Sequence, residues 1–238
     1  MKPLNQAVCE TPPSGIRRFF DVASQMPDAI SLGVGEPDFV TPWRIREAAI
    51  HAIERGYTTY TSNAGLLELR EAIAAHFESR HGVVYDPATE ILITVGVSEG
   101  LDLTLRALLN PGDEVLHFEP GYVSYLPGIR FAGGVPVAVQ TTAEDGFRTR
   151  PEALSAAISP RTKAILLAYP NNPTGATLSR DEVAAVARFA VEHDLYLISD
   201  EIYSRLTYGC EHTCAASVPG ARDRTVVLNG FSKAYAMT

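Results

Sequence analysis

Cysteine, basic charge and long apolar runs are all scarce in this chain. Its three cysteines, Cys9, Cys210 and Cys214, are too few for a disulfide framework across 238 residues. The stretch CEHTC sets His212 between Cys210 and Cys214. No second ligand pair stands at structural-zinc spacing, so no metal is expected. Asp and Glu number 28 against 20 Lys and Arg, and the net charge of −8 disfavours nucleic acid or an anionic membrane as the main partner. A local basic pocket for a small anion stays compatible with that balance. No run nears the roughly 18 apolar residues of a membrane span. The opening MKPLNQAVCETPPSG has neither a signal-peptide core nor the Arg/Ser pattern of a transit peptide, so a reducing, cytoplasmic setting is expected. Two glycine signatures are missing as well: GVSEG (96–100) is no P-loop, and GVGEPD (33–38) lacks the third glycine of a dinucleotide fingerprint.

What is present is an ordinary globular composition, 46% hydrophobic and 20% charged, long enough for one sizeable core or two domains. Residues 1–30 read as an irregular arm with a short helical piece around 16–23, followed by a loop over 31–39. Thr41 is a plausible N-cap with Pro42 at the first helical position, and Gly56 ends that helix. A second helix is expected over about 65–80. The rhythm then changes. Short apolar strands are predicted at 90–95, 113–118, 135–140, 162–169, 195–200 and 225–230, with helices at 98–109, about 122–131 and 181–193, the last capped by Ser179. This alternation predicts an α/β fold, with helices on both faces of a mostly parallel central sheet.

In such sheets the chemistry lies beyond the carboxyl ends of the strands. The residues found there are Val97 and Ser98, Tyr122, the PNNPTG turn with Asn172, Asp200 and Tyr203, and Ser232 and Lys233. Lys233 reads either as a surface lysine with its stem laid along apolar groups or as a desolvated amine able to attack a carbonyl. Asp200 could cap a helix, or hold a proton on a ring nitrogen, with the Tyr203 phenol aimed at the same ring. Asn172 could be part of a plain turn or an amide donor. The Tyr122 ring could be core or a plate under a planar ligand. Val97 and Ser98 open a helix directly after a strand, where backbone amides and a hydroxyl make a phosphate seat.

With those residues in view, the sequence resembles the class I/II aminotransferases, the fold-type-I enzymes that use pyridoxal 5′-phosphate. The resemblance runs from about residue 28 and rests on SLGVGEPDFVTP, YTTYTSNAGLLELREAI, PGDEVL, PNNPTG, HDLYLISDEIY and NGFSKAYAMT. It implies a three-layer α/β/α large domain over 41–238, preceded by an arm and substrate loop over 1–40. It further implies that Lys233 is the Schiff-base lysine, that Asp200 pairs with the pyridinium nitrogen, and that Asn172 and Tyr203 bond the ring's phenolic oxygen. Tyr122 would stack on the ring and also border the substrate, as would Asn172. Val97 and Ser98 would hold the phosphate, with Ser232 a weaker candidate. Gly35 matches a backbone contact to the substrate carboxylate. Tyr60 matches a tyrosine that reaches a phosphate across a homodimer with shared active sites.

The expected reaction is amino transfer between an α-amino acid and a 2-oxo acid. A pyridoxal-phosphate carbon–sulfur lyase and a non-catalytic cofactor-binding or dimerising fragment are the alternatives. The resemblance departs from the family pattern after AYAMT, where a phosphate-binding arginine and a C-terminal small domain are expected and not seen. Arg205, Arg222 and Arg224 stand in the wrong segments to replace either that arginine or the small-domain arginine that the resemblance assigns to the substrate α-carboxylate, so impaired activity is the expectation for this stretch alone.

Overall fold

The computed structural model describes residues 2–13, 15, 22, 25–26, 28 and 35–238. The helical piece expected around 16–23 falls largely outside them, as do positions 31–34 of the expected loop. In chain order the described elements are α1 (Gln6–Glu10), α2 (Trp43–Glu54), α3 (Leu67–His81), α4 (Gly96–Leu108), β1 (Glu114–Glu119), α5 (Tyr125–Phe131), β2 (Val135–Gln140), α6 (Pro151–Ala157), β3 (Thr162–Ala168), α7 (Arg180–Glu192), β4 (Tyr196–Asp200), β5 (Thr225–Leu228) and α8 (Phe231–Ala234).

Alternate residues along each strand point to opposite faces, and both faces are covered. Leu116, Phe118, Ile165, Leu167 and Leu197 meet Leu154 of α6 and Val183, Val186, Ala187 and Ala190 of α7. Val115, Ala164, Leu166, Ile198 and Leu228 meet Leu101 and Leu105 of α4 and Tyr125 and Ile129 of α5. The result is a three-layer α/β/α sandwich whose five strands are all parallel, in the order β2-β1-β3-β4-β5. Ser179 caps α7 as its sequence predicts. Its hydroxyl accepts from the Glu182 N–H, and the Glu182 carboxylate accepts from the Ser179 N–H.

Two expectations need correction. Residues 91–94 have no regular secondary structure and join no strand ladder among the described residues. The Ile93 N–H instead donates to the Ala64 carbonyl at 3.0 Å, and Gly65, at φ +94°, leaves no room for a Cβ beside the Ile93 side chain. β5 is an edge strand among the described residues, and a cleft of about 840 Å³ is lined by both this segment and β5, including Ile91, Ile93, Val226 and Val227. Apolar content marks a segment as fit for a sheet; only a neighbour within hydrogen-bonding reach makes it a strand. The second correction is at α2, where the cap position is Pro42 rather than Thr41. The Thr41 hydroxyl donates instead to the Ala236 carbonyl, a partner that local sequence cannot reveal.

The end of β4 is braced by Glu201, which is 1% exposed. Its carboxylate accepts from the Ser199 hydroxyl at 2.9 Å, the Ala215 N–H at 3.0 Å and His212 Nε2 at 2.8 Å. Glu201→Ala leaves those buried donors unpaired, so chemical denaturation should show a loss of about 3 kcal/mol. A loss below about 1 kcal/mol would show that water replaces the carboxylate.

His117 of β1 is 2% exposed, with Nδ1 unpartnered. Burial holds its pKa below the usual histidine value. The unfolded chain takes up that proton near pH 6.5 and the folded chain does not, so stability falls as pH drops below that value. His76 and His81, lowered chiefly by burial, act in the same sense. Asp200, raised chiefly by burial, acts against them. Urea midpoints should fall between about pH 7 and pH 5.5, and His117→Leu should flatten the slope. An unchanged slope in that variant would assign the loss to other groups.

Candidate active site

The chain runs outward from β1 to β2 on one side and returns to place β3, β4 and β5 on the other. The connections leaving β1 and β3 therefore diverge and open a crevice at the carboxyl edge of the sheet. Tyr122 follows β1, Asn172 follows β3, Asp200 ends β4 and Lys233 follows β5. The start of α4 lies alongside: a Cβ placed on Gly230 would stand 3.6 Å from Val97 Cγ2 and 3.2 Å from Ile202 Cδ1. Glycine at 230 is what lets these three segments close on one point.

Asp200 is buried at the carboxyl end of β4, 6% exposed. Its Oδ1 accepts from the Ile202 N–H at 3.1 Å and its Oδ2 from the Tyr125 hydroxyl at 2.9 Å. Desolvation raises its pKa, with the two hydrogen bonds working against the rise. No ion pair to Asp200 exists among the described residues. Tyr203, two residues beyond Glu201, has its phenol pKa raised, first by burial and then by Asp200 and Tyr122 nearby. Asn172 Nδ2 lies 3.5 Å from the Tyr203 hydroxyl, a long contact.

Lys233 is half-buried on α8, and its Nζ donates to the Gly35 carbonyl at 2.6 Å. Gly35 in turn faces Tyr203, whose hydroxyl would lie 3.7 Å from a Cβ at that position. Residues 198 positions apart in the chain thus meet over Tyr203. Val97 and Ser98 occupy the second and third positions of α4. Amides in this first turn have no carbonyl one turn back to bond, and the positive end of the helix dipole lies there.

The structure therefore gathers Lys233, Gly35, Tyr203 and Asn172 in one chain of contacts. Asp200 and Tyr122 lie close by, and Val97 stands beside the end of β5. Ser98 is exposed. Ser232 is half-buried, and its carbonyl, not its hydroxyl, is engaged, accepting from Thr238. Tyr60 is fully exposed, at 105%, and touches none of the others. The three arginines weighed as substitutes all face elsewhere: Arg222 holds the Val84 carbonyl and Glu90, Arg224 holds Asp194 and the Leu195 carbonyl, and Arg205 lies by His76. In the CEHTC stretch His212 is taken up by Glu201, and no group of three metal-ligating side chains occurs among the described residues.

Two working residues escape the sequence reading. Asn171 is buried. Its side-chain amide donates to the Pro120 carbonyl at 3.3 Å, and its Oδ1 accepts from the Thr174 N–H and hydroxyl. It ties the turn after β3 to the turn after β1. The other is Tyr125, whose only sequence signal is its place three residues after Tyr122, on the same side of a helix start.

The family model for aminotransferase class I and II matches residues 27–238. The chain belongs to that family. YugH of Bacillus subtilis (strain 168), whose name carries the word aminotransferase, is 50% identical over 235 residues, covering 99% of this chain and 61% of the relative. The aromatic-amino-acid aminotransferase 2 of Thermococcus litoralis is 45% identical over 227 residues, covering 95% of this chain and 58% of the relative. Among solved structures, the Thermus thermophilus aspartate aminotransferase with maleate superposes with a TM-score of 0.93 at 44% identity, covering 100% of this chain and 62% of that one. This chain thus spans about 60% of the length of the relatives it matches.

Enzymes of this family use pyridoxal phosphate, and the crevice fits that group on its own evidence. A buried carboxylate short of a cation suits a protonated ring nitrogen, an amine stands at the mouth, and helix amides suit a phosphate. The chain has no helix among its described residues that is long and apolar enough to cross a membrane.

Proposed function

We propose that this chain forms the cofactor-binding part of a pyridoxal-phosphate aminotransferase that moves an amino group between an α-amino acid and a 2-oxo acid. The observation that carries the reading is the buried Asp200 carboxylate, without a cationic partner among the described residues, at the same edge of the sheet as Lys233. When bound, the cofactor supplies an aldehyde that condenses with amines and a ring that accepts an electron pair.

The residues divide the remaining work. Lys233 Nζ is the amine that would hold the cofactor through its aldehyde carbon and, when free, would serve as the base for the substrate α-proton. Asp200 would keep the ring nitrogen protonated. Asn172 and Tyr203 would donate to the ring's phenolic oxygen, Tyr122 would border the ring, and the Val97 and Ser98 amides with the Ser98 hydroxyl would hold the phosphate, with Ser232 a weaker candidate. Gly35 offers its backbone to the substrate carboxylate. The hydrogen bond from Lys233 Nζ to the Gly35 carbonyl supports that assignment, since it joins the two segments.

The proposal includes a cytoplasmic homodimer with shared active sites. Tyr60 and Tyr57 are bared to solvent, as are Trp43 and Ile53 of α2, and an exposed apolar group of this kind suits burial against a second copy. Tyr60 would then serve the partner's phosphate. Aminotransferase names among the relatives favour amino transfer over carbon–sulfur cleavage.

The test is chemical trapping. Pyridoxal phosphate is added to the purified chain, the adduct is reduced with borohydride, and peptides are mapped. Labelling confined to the peptide carrying Lys233 supports the reading. Labelling scattered over surface lysines, or none after gel filtration, refutes it.

A further inference from the structure

Tyr125 opens α5 and is 5% exposed, packed among Leu101, Leu105, Ile129 and Ile198. Its single polar atom is the hydroxyl, and that hydroxyl donates to Asp200 Oδ2 at 2.9 Å. Its ring also meets the ring of Tyr122 edge to face, with centroids 5.5 Å apart and planes at 80°. One buried side chain therefore touches both the carboxylate at the end of β4 and the ring of Tyr122. We propose that Tyr125 is a positioning residue that keeps Asp200 ionised and aimed at the ring nitrogen of the bound cofactor while bracing Tyr122; the inference rests on the functional reading above.

A phenol has one proton to give, and a carboxylate has about four lone-pair sites to receive. The bond is therefore made best to ionised Asp200. Burial and the neighbouring Asp200 push the Tyr125 phenol far above its ordinary pKa, so it remains a donor throughout the working range. Ile202 N–H serves the other oxygen, and both carboxylate oxygens keep lone pairs for a further donor. The other ionisable groups facing this pair are the Tyr122 and Tyr203 phenols and the Glu201 carboxylate. The last is turned away toward Ser199, Ala215 and His212. Losing the Tyr125 donor makes Asp200 more basic. The proton shared with the ring then moves toward the carboxylate, leaving both partners neutral.

Tyr125→Phe removes the donor and keeps the ring, so the packing with Tyr122 and the core survives, and a thermal melt checks that it does. Two measurements on the full 238-residue chain decide the role. Without cofactor, carbon-13 NMR of the Asp200 carboxyl should titrate at higher pH in Tyr125→Phe than in the native chain. With nitrogen-15-labelled pyridoxal phosphate bound, the ring-nitrogen signal should sit at the protonated position in the native chain and move toward neutral pyridine in the variant. A purely structural tyrosine would leave both signals in place, and an unmoved signal in either measurement overturns the proposal. A native chain that takes up no cofactor overturns the functional reading instead, and it does so whatever the Asp200 titration shows.

Discussion

Lys233→Ala should leave the chain unable to retain pyridoxal phosphate through gel filtration and should abolish the absorption band that distinguishes bound from free cofactor. Alanine removes the amine that is anchored by Nζ on the Gly35 carbonyl. On the proposed reading amino-group exchange should fall by about ten-thousand-fold, because one substitution would remove both the covalent tether and the proton carrier. The fold should be nearly untouched, since Lys233 is only half-buried and forms no ion pair among the described residues. A variant that melts like the native chain and yet keeps the band would transfer the tether to another lysine. Added methylamine provides a further check: a small amine restoring part of the rate would separate lost chemistry from lost structure.

The second large effect is at Asp200, and it has two signs. In the cofactor-free chain burial disfavours the charged carboxylate, and its folded pKa lies above the unfolded value. The folded state thus binds the proton more readily than the unfolded state. Asp200 consequently lowers stability as pH rises from the unfolded carboxylate range through its folded pKa. Asp200→Asn removes that burden, so the cofactor-free variant should melt at or above the native temperature near neutral pH. On the proposed reading the same change would deprive a bound ring nitrogen of its counter-charge in a dry site, and cofactor affinity should fall by about 2–5 kcal/mol. Calorimetry of the empty chain and a cofactor titration read the two effects separately. A variant that is less stable when empty would make Asp200 a structural residue first. A variant that binds cofactor normally would remove it from the ring nitrogen.

Both predictions concern residues that the sequence points to, and the reason is local. Asp200 ends the apolar run LYLIS, Lys233 follows TVVLNG, and Asn172 stands in a turn of prolines and asparagines. Strand periodicity and turn chemistry act over a few residues, so the strand ends could be read and the chemistry assigned to them. The Ser179–Glu182 capping box and the strand over 135–140 were legible for the same reason. Tyr125 was not. It lies 75 positions from Asp200, and a tyrosine among apolar residues at a helix start looks like core until the strand carrying its partner is in place. Asn171 shares that fate, since its acceptor Pro120 lies 51 positions away.

The segment 90–95 shows the opposite failure, where local composition promised more than the fold delivers. Its residues favour a strand, but a strand is a property of two segments, and this one joins no ladder among the described residues. Thr41 likewise has cap chemistry, and its hydroxyl is claimed by Ala236 from 195 positions away. The amino-acid sequence by itself determined the alternation of elements, the parallel sheet, the edge on which the reactive groups gather and the family. Each of those follows from periodicity, turn residues or motifs within a short window. Only the tertiary structure decided which side chains touch Asp200, where Lys233 rests and which apolar run joins the sheet. Those outcomes depend on hydrogen bonds and burial between segments that meet only after the chain has closed on itself.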